Sequence, residues 1–316
     1  MICNRFRAAC FLAAAVAVSL VAVSGPGAAD DTAPLALARD GYFYVNARTT
    51  RVGGKTYVTD QMYVEERVPA RRTHAYPIVM VHGGTMSGVN FTGTPDGREG
   101  WAQYFVRQGY AVYVVDQPGR GRSGYLPASY GPARNVESTN SFARFVSQEK
   151  SKLWPQAVLH TQWPGSGNPD DPAAQQVMAS QLPAIESFEK QQFLNRDALI
   201  ALFEKIGPGI LMVHSQAGAF AWPVADARPD LVRAILAIEP NGPPVHSVDF
   251  IGAPNWFKEG PVSNTYLQQA GIKPSVIRLA DLGIHGNSHV MMLEKNNQEV
   301  AAVIAGWLDK TLPKGK

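Results

Sequence analysis

The chain has 316 residues, 45 % of them hydrophobic and 17 % charged, and its 29 basic residues exceed its 26 acids by three. That balance suits one globular domain carrying an insertion better than two equal domains, and nothing in it demands nucleic acid or an anionic membrane as a partner. Both cysteines, Cys3 and Cys10, fall within the first 29 residues, so a thiol nucleophile, a thiolate metal site and a disulfide are excluded from the remainder.

Residues 1–29 read as a cleaved secretory signal peptide. Arg5 and Arg7 supply a positive start, 8–23 form an apolar run, and the small residues Gly27-Ala28-Ala29 precede Asp30. The run is short for a membrane span; an uncleaved N-terminal anchor is the alternative. Cleavage removes two arginines and no acid, leaving 27 basic against 26 acidic residues. The expected mature protein is residues 30–316, secreted or periplasmic, with no stable membrane association.

Short strands are predicted around 42–45, 57–58 and 63–64, with turns at Gly53 and Gly54, as an antiparallel start to a sheet. The apolar runs 76–81, 110–115, 210–213 and 234–238 are too continuous for half-exposed strands and read as buried parallel ones. Helical text at 101–108, 197–206 and 216–227 alternates with them, which predicts a mostly parallel central sheet flanked by helices. Further strands are predicted at 245–251 and 275–280, before an amphipathic final helix from about 291 to 312. Residues 125–195 interrupt the alternation with Pro, Gln, Ser and Trp. They include helical text at 171–193 and a loop at 163–170, and they predict a largely helical cap inserted before the strand that ends near Ser215. A structural arm or a dimer surface is the other reading of that insertion.

The buried strand 210–213 runs through His214 into Ser215 and then into an Ala-rich helix, which is where a nucleophile elbow belongs. The elbow needs small residues two before and two after its serine; Ala217 satisfies this and Val213 does not. A helix N-cap serine is the structural alternative. Upstream, strand 78–81 ends in His82-Gly83-Gly84-Thr85, a turn whose backbone N–H groups can face a developing oxyanion. Gly84 or Thr85, with Gln216, are the expected donors.

Seven histidines are available, and two lie in the loop Gly283-Ile284-His285-Gly286-Asn287-Ser288-His289. Imidazole suits a general base because its ordinary pKa lies near neutrality. His289, at the mouth of the final helix, is preferred to His285. Glu239, ending the strand after the elbow, is preferred as the orienting acid over Asp249 and Asp281, and it gives the chain order Ser, Glu, His. His82 and His214 are expected to brace the two turns.

Gly119-Arg120-Gly121-Arg122-Ser123-Gly124 matches a dinucleotide-binding pattern after a strand, but Tyr125-Leu126-Pro127 does not open a helix for a pyrophosphate. No cofactor and no metal are expected. Trp163, Trp222, Trp256 and Phe257 are candidates to line an apolar acyl pocket, or simply core.

These strings resemble the α/β-hydrolase superfamily over roughly residues 76–312: His82-Gly83-Gly84, the segment 116–123, His214-Ser215-Gln216-Ala217-Gly218 and the final His289. Within it, the segments 94–101 and 285–296 look like a subfamily of secreted bacterial carboxylesterases. The resemblance implies a serine nucleophile at Ser215, a glutamate after the sixth strand at Glu239 and a histidine in the last loop at His289. It also implies a cap, no cofactor, a small-molecule ester substrate and, in some members, a homodimer. The same machinery serves an amide, a lactone or a carbon–carbon bond, and a secreted binding protein that has lost catalysis is the alternative of another class.

Overall fold

The computed structural model describes residues 33–241, 268 and 274–313. In chain order, the strands among them are β1 (Leu37–Val45), β2 (Arg48–Val52), β3 (Lys55–Thr59), β4 (Met62–Pro69), β5 (Ile78–Val81), β6 (Val112–Asp116), β7 (Ala133–Arg134), β8 (Ala184–Ile185), β9 (Gly209–His214) and β10 (Val232–Ile238). The helices are α1 (Val89–Thr92), α2 (Trp101–Arg107), α3 (Pro127–Tyr130), α4 (Ser138–Phe145), α5 (Gln148–Ser151), α6 (Pro172–Ala179), α7 (Phe188–Ile206), α8 (Gly218–Ala227) and α9 (Asn297–Thr311). None is long and apolar enough to cross a membrane.

Six strands form one sheet in the order β1-β4-β6-β5-β9-β10. The first two pairings are antiparallel and the remaining three are parallel. The antiparallel start and the parallel core therefore match the sequence pattern. β2 and β3 form a separate hairpin, closed by Gly53 and Gly54 at φ +56° and +78°, the region a two-residue hairpin turn demands.

The continuous apolar runs follow from burial of both sheet faces. Ile78, Met80, Val112, Val114, Ile210 and Met212 pack on one side with Trp101 and Phe105 of α2 and Ile304 and Leu308 of α9. Their odd-numbered neighbours Val79, Val81, Tyr113, Val115, Leu211 and Val213 pack on the other with Leu199, Leu202 and Phe203 of α7 and Phe220 and Val224 of α8. Successive side chains alternate faces, so a strand clad on both sides must be apolar at every position.

Three expectations are corrected. Residues 275–280 form no strand; they run as coil into a 3-10 turn, Leu279–Leu282. The final helix is shorter than predicted, because a 3-10 turn, Met291–Leu293, precedes α9. The helical text at 171–193 is two elements: α6 ends before Pro183, and α7 starts afresh where the Ser187 side chain accepts from the Lys190 N–H. α7 then runs past the predicted end of the cap to a left-handed Gly207. The predicted strand at 245–251 lies outside the described residues. Short helices and the paired β7 and β8 occupy 125–187.

The strand register sets the functional edge. Val81 pairs with Val115 and Val213, and Ile238 pairs with His214, so the segments following β5, β6, β9 and β10 emerge side by side at the carboxyl end of the sheet. Asp116, 1 % exposed, anchors that end. Its carboxylate accepts from the Gly88 N–H at 2.8 Å, the Arg122 N–H at 2.9 Å and the Arg122 Nε at 2.8 Å. Burial pushes its pKa up, but the Arg122 hydrogen bonds and the neighbouring charges outweigh this and hold it below the ordinary carboxylate value. Gly121 is required here, since a Cβ would stand 2.6 Å from Asp116 Oδ2. The glycines of the dinucleotide-like string thus fold a loop around a carboxylate. Asp116→Asn is expected to cost about 2–4 kcal/mol in urea unfolding, because buried donors lose a charged acceptor; an unchanged midpoint would contradict this role.

Candidate active site

β9 runs directly into Ser215, which sits at φ +53°, a left-handed conformation that serine seldom adopts. The chain turns through a 3-10 step, Ser215–Ala217, into α8. Val213, where a glycine is usual, is fully buried, and its neighbour on β10 is the small Ala237. The crowding falls on other glycines. A Cβ on Gly83 would meet His214 Nδ1 and Ser215 Cβ at 2.9 Å, and one on Gly218 would meet Pro240 Cβ at 2.4 Å.

Glu239 follows β10 at φ +38°, and the Asn241 N–H donates to the Ser215 carbonyl at 2.8 Å, fastening the two strand ends together. His289 Nδ1 lies 2.7 Å from Glu239 Oε2. The His289 carbonyl accepts from His214 Nε2 at 2.7 Å, with the two rings 4.7 Å apart, and Phe145 of α4 stacks near the His289 ring at 6.5 Å. Burial, then the nearby His289, keeps the His214 pKa well below its ordinary value, so His214 is neutral with its proton on Nε2. His285 is exposed, and its carbonyl accepts from Gln162. Asp281 is exposed on the turn at Leu279–Leu282, while Asp249 lies outside the described residues.

The turn after β5 is held from behind. The Gly83 carbonyl accepts from His82 Nδ1 and from Arg120 Nη1, each at 2.9 Å. Because a trans peptide sets its C=O and N–H in opposite directions, the Gly84 N–H faces away from Arg120. Thr85 follows at φ +59°. His82 accepts the Gln117 N–H on Nε2, which leaves its proton on Nδ1, and burial followed by the Arg120 charge lowers its pKa to about 3. Arg120, 3 % exposed, also reaches the side-chain oxygens of Gln191 and Gln216 at 3.2 and 3.3 Å. Burial, then the charge of Arg134, pushes its pKa down to about 10.

The histidine loop rests on Glu294. Its carboxylate accepts from the Ser288 N–H and the Asn287 amide, both at 2.8 Å, while Arg98 donates to its carbonyl. Burial raises the Glu294 pKa to about 7. The inserted segment is stitched to both turns: Leu182 N–H donates to the Thr85 carbonyl at 2.7 Å, and Thr161 N–H donates to the Gly286 carbonyl at 2.9 Å.

A cavity of about 640 Å³ brings Ser215, His289, Gly84, Thr85 and Gln216 to one surface, with Met86, Arg134, Arg144, Phe145 and Phe188 among its other walls. Neither Trp163 nor Trp222 is among its described lining residues, and Trp163 is instead buried with its Nε1 on Asp171; Trp256 and Phe257 lie outside the described residues. A hydroxyl, an imidazole backed by a carboxylate, and the backbone of Gly84, Thr85 and Gln216 at one cavity are groups that can carry out nucleophilic acyl transfer. Among the described residues, no cluster of three or more His, Cys, Asp or Glu side chains is arranged to hold a metal. Sequence reasoning passed over Arg120, Gln191 and Glu294; Arg120 was within reach, since it sits inside the glycine-rich string.

Residues 76–270 match the family described as "alpha/beta hydrolase fold". The chain is 34% identical over 325 residues to a fungal protein described as "Probable secreted lipase phiG", from Fungal sp. (strain ATCC 74256), covering 82% of this chain and 88% of that one. It is also similar to a solved structure of "a Novel Bacterial Esterase", with 28% identity and a TM-score of 0.67 over 88% of this chain and 98% of that one. The chain belongs to the α/β-hydrolase fold family, and it is a hydrolase of the lipase and esterase type.

Glu294 holds its proton more tightly folded than unfolded, so its contribution to stability is full below about pH 4.5 and is lost as pH rises through about 7. Glu294→Gln cannot titrate. Its melting temperature is expected to gain about 5 °C on wild type between about pH 5 and about pH 8, and a constant difference would refute the assignment.

Proposed function

We propose that this chain is an exported serine hydrolase that cleaves carboxylic esters through an acyl-enzyme. The single observation that carries the reading is the 2.7 Å contact between His289 Nδ1 and Glu239 Oε2, in a chain whose elbow residue Ser215 faces the same cavity as His289. Export is supported by the leader and by the description of the fungal relative as secreted.

In this reading Ser215 Oγ attacks the ester carbonyl and its proton passes to His289 Nε2. Glu239 fixes the ring through Nδ1 and balances the imidazolium that forms. The carbonyl oxygen gains charge opposite the Gly84 or Thr85 N–H and the Gln216 N–H, backbone donors of residues that line the cavity. The imidazolium then protonates the departing alcohol oxygen, and a water repeats the sequence to release the acid. Arg120 is a positioning residue: it fixes the Gly83–Gly84 peptide and the Gln216 side chain without facing the substrate.

Ser215→Ala is expected to lower kcat on p-nitrophenyl butyrate by about four orders of magnitude and to abolish fluorophosphonate labelling with an unchanged melting temperature. Retained turnover or labelling would overturn the reading. Arg120→Met should cut kcat by about ten- to a hundredfold while the melting temperature holds or rises, since burial opposes the Arg120 charge and no described carboxylate ion-pairs with it. A loss of melting temperature with kcat intact would reduce Arg120 to a structural part.

A further inference from the structure

Charge around the Ser215 cavity is unevenly distributed. Arg134 and Arg144 line it, Arg120 stands behind the oxyanion turn, and Glu137 is the one carboxylate among the described lining residues. Glu137 is already committed: it caps α4 by accepting from the Thr139 and Asn140 N–H groups at 2.8 and 2.6 Å, and these bonds hold its pKa below the ordinary value. Arg144 donates to the Asn140 side chain at 2.7 Å. No described carboxylate lies within the 4.0 Å ion-pairing distance of Arg120, Arg134 or Arg144. Elsewhere arginines meet acids directly, as Arg98 does with Asp96, Arg107 with Glu99 and Arg228 with Asp230.

Burial, then the nearby Arg134 charge, lowers the Arg120 pKa and Asp116 only partly offsets this, so among the described residues positive charge is in excess beside the oxyanion turn. Met86, Phe145 and Phe188 give the same cavity apolar wall. Guanidinium groups bind carboxylates through paired N–H donors and draw anions into a cleft from a distance. We propose that the site selects esters whose short apolar arm ends in a carboxylate, that is, hemi-esters of dicarboxylic acids, with Arg134 and Arg144 holding the carboxylate while Ser215 meets the ester. This rests on the serine-hydrolase reading and names its substrate class.

The test compares monoethyl adipate with diethyl adipate on the mature protein. Wild type is expected to favour the hemi-ester in kcat/KM by about tenfold, a preference that fades in about 0.5 M NaCl. In Arg134→Gln with Arg144→Gln the ratio should fall to about one, whereas Arg228→Gln, on a surface remote from the cavity, should leave it unchanged. A ratio of one or below in wild type, or a ratio that survives both substitutions, overturns the proposal. Adipate binding to the Ser215→Ala protein, measured by calorimetry, separates the two readings: adipate bound through both arginines with no ester turned over in wild type would sink the hydrolase account alone. Esters turned over with no adipate bound would sink the carboxylate account alone.

Discussion

The arrangement at the sheet edge depends on one hydrogen bond, from the His214 ring to the His289 carbonyl, between residues 75 positions apart. It ties the strand that delivers Ser215 to the loop that delivers His289. The bond constrains a third segment as well, because His214 Nδ1 lies so close to Gly83 that no side chain fits there. A neutral, fully buried imidazole satisfies all of this with one proton, and burial keeps it neutral. The turn after β5, the elbow and the histidine loop are therefore one packed unit.

That unit is conformationally expensive. Thr85, Ser215 and Glu239 all have positive φ, and each follows one of the adjacent strands β5, β9 and β10. Strain of this kind costs on the order of 1–3 kcal/mol per residue and persists only where the surroundings leave no alternative. The surroundings here are a sheet buried on both faces and the cross-ties from Asn241 to Ser215 and from Arg120 to Gly83. Arg120 adds to the resting cost, since burial disfavours its charge.

Much of the sheet was legible because its physics is local. Strands such as 78–81 and 210–213 must be apolar throughout when clad on both faces, and Gly53-Gly54 announces its own hairpin. The segment 275–280 was misread because Ser-Val-Ile-Arg-Leu-Ala has strand-like composition, and composition alone does not supply a pairing partner. Ser215, Glu239 and His289 stand out in the sequence by their positions at strand ends and in the final loop, and the fold brings Ser215 to the cavity of His289 and Glu239 to its ring. Arg120 and Glu294 could not be assigned in the same way, because their importance lies in being buried against turns distant in the chain, and sequence spacing carries no record of burial. The elbow's departure from the usual pattern also becomes intelligible only in three dimensions: the glycine needed for close approach is Gly218, against Pro240, rather than residue 213.

The inserted segment between β6 and α7 has a consequence for how such proteins diversify. Its backbone grips the turn at Thr85 through Leu182 and the loop at Gly286 through Thr161, and Lys295 donates back to the Gln162 carbonyl. An insertion bound this way is not a cassette that can be swapped while the sheet edge stays still. Any exchange of it would also shift the amides and the imidazole, so new substrate ranges are more accessible through point changes on its inner wall than through transplanting the whole.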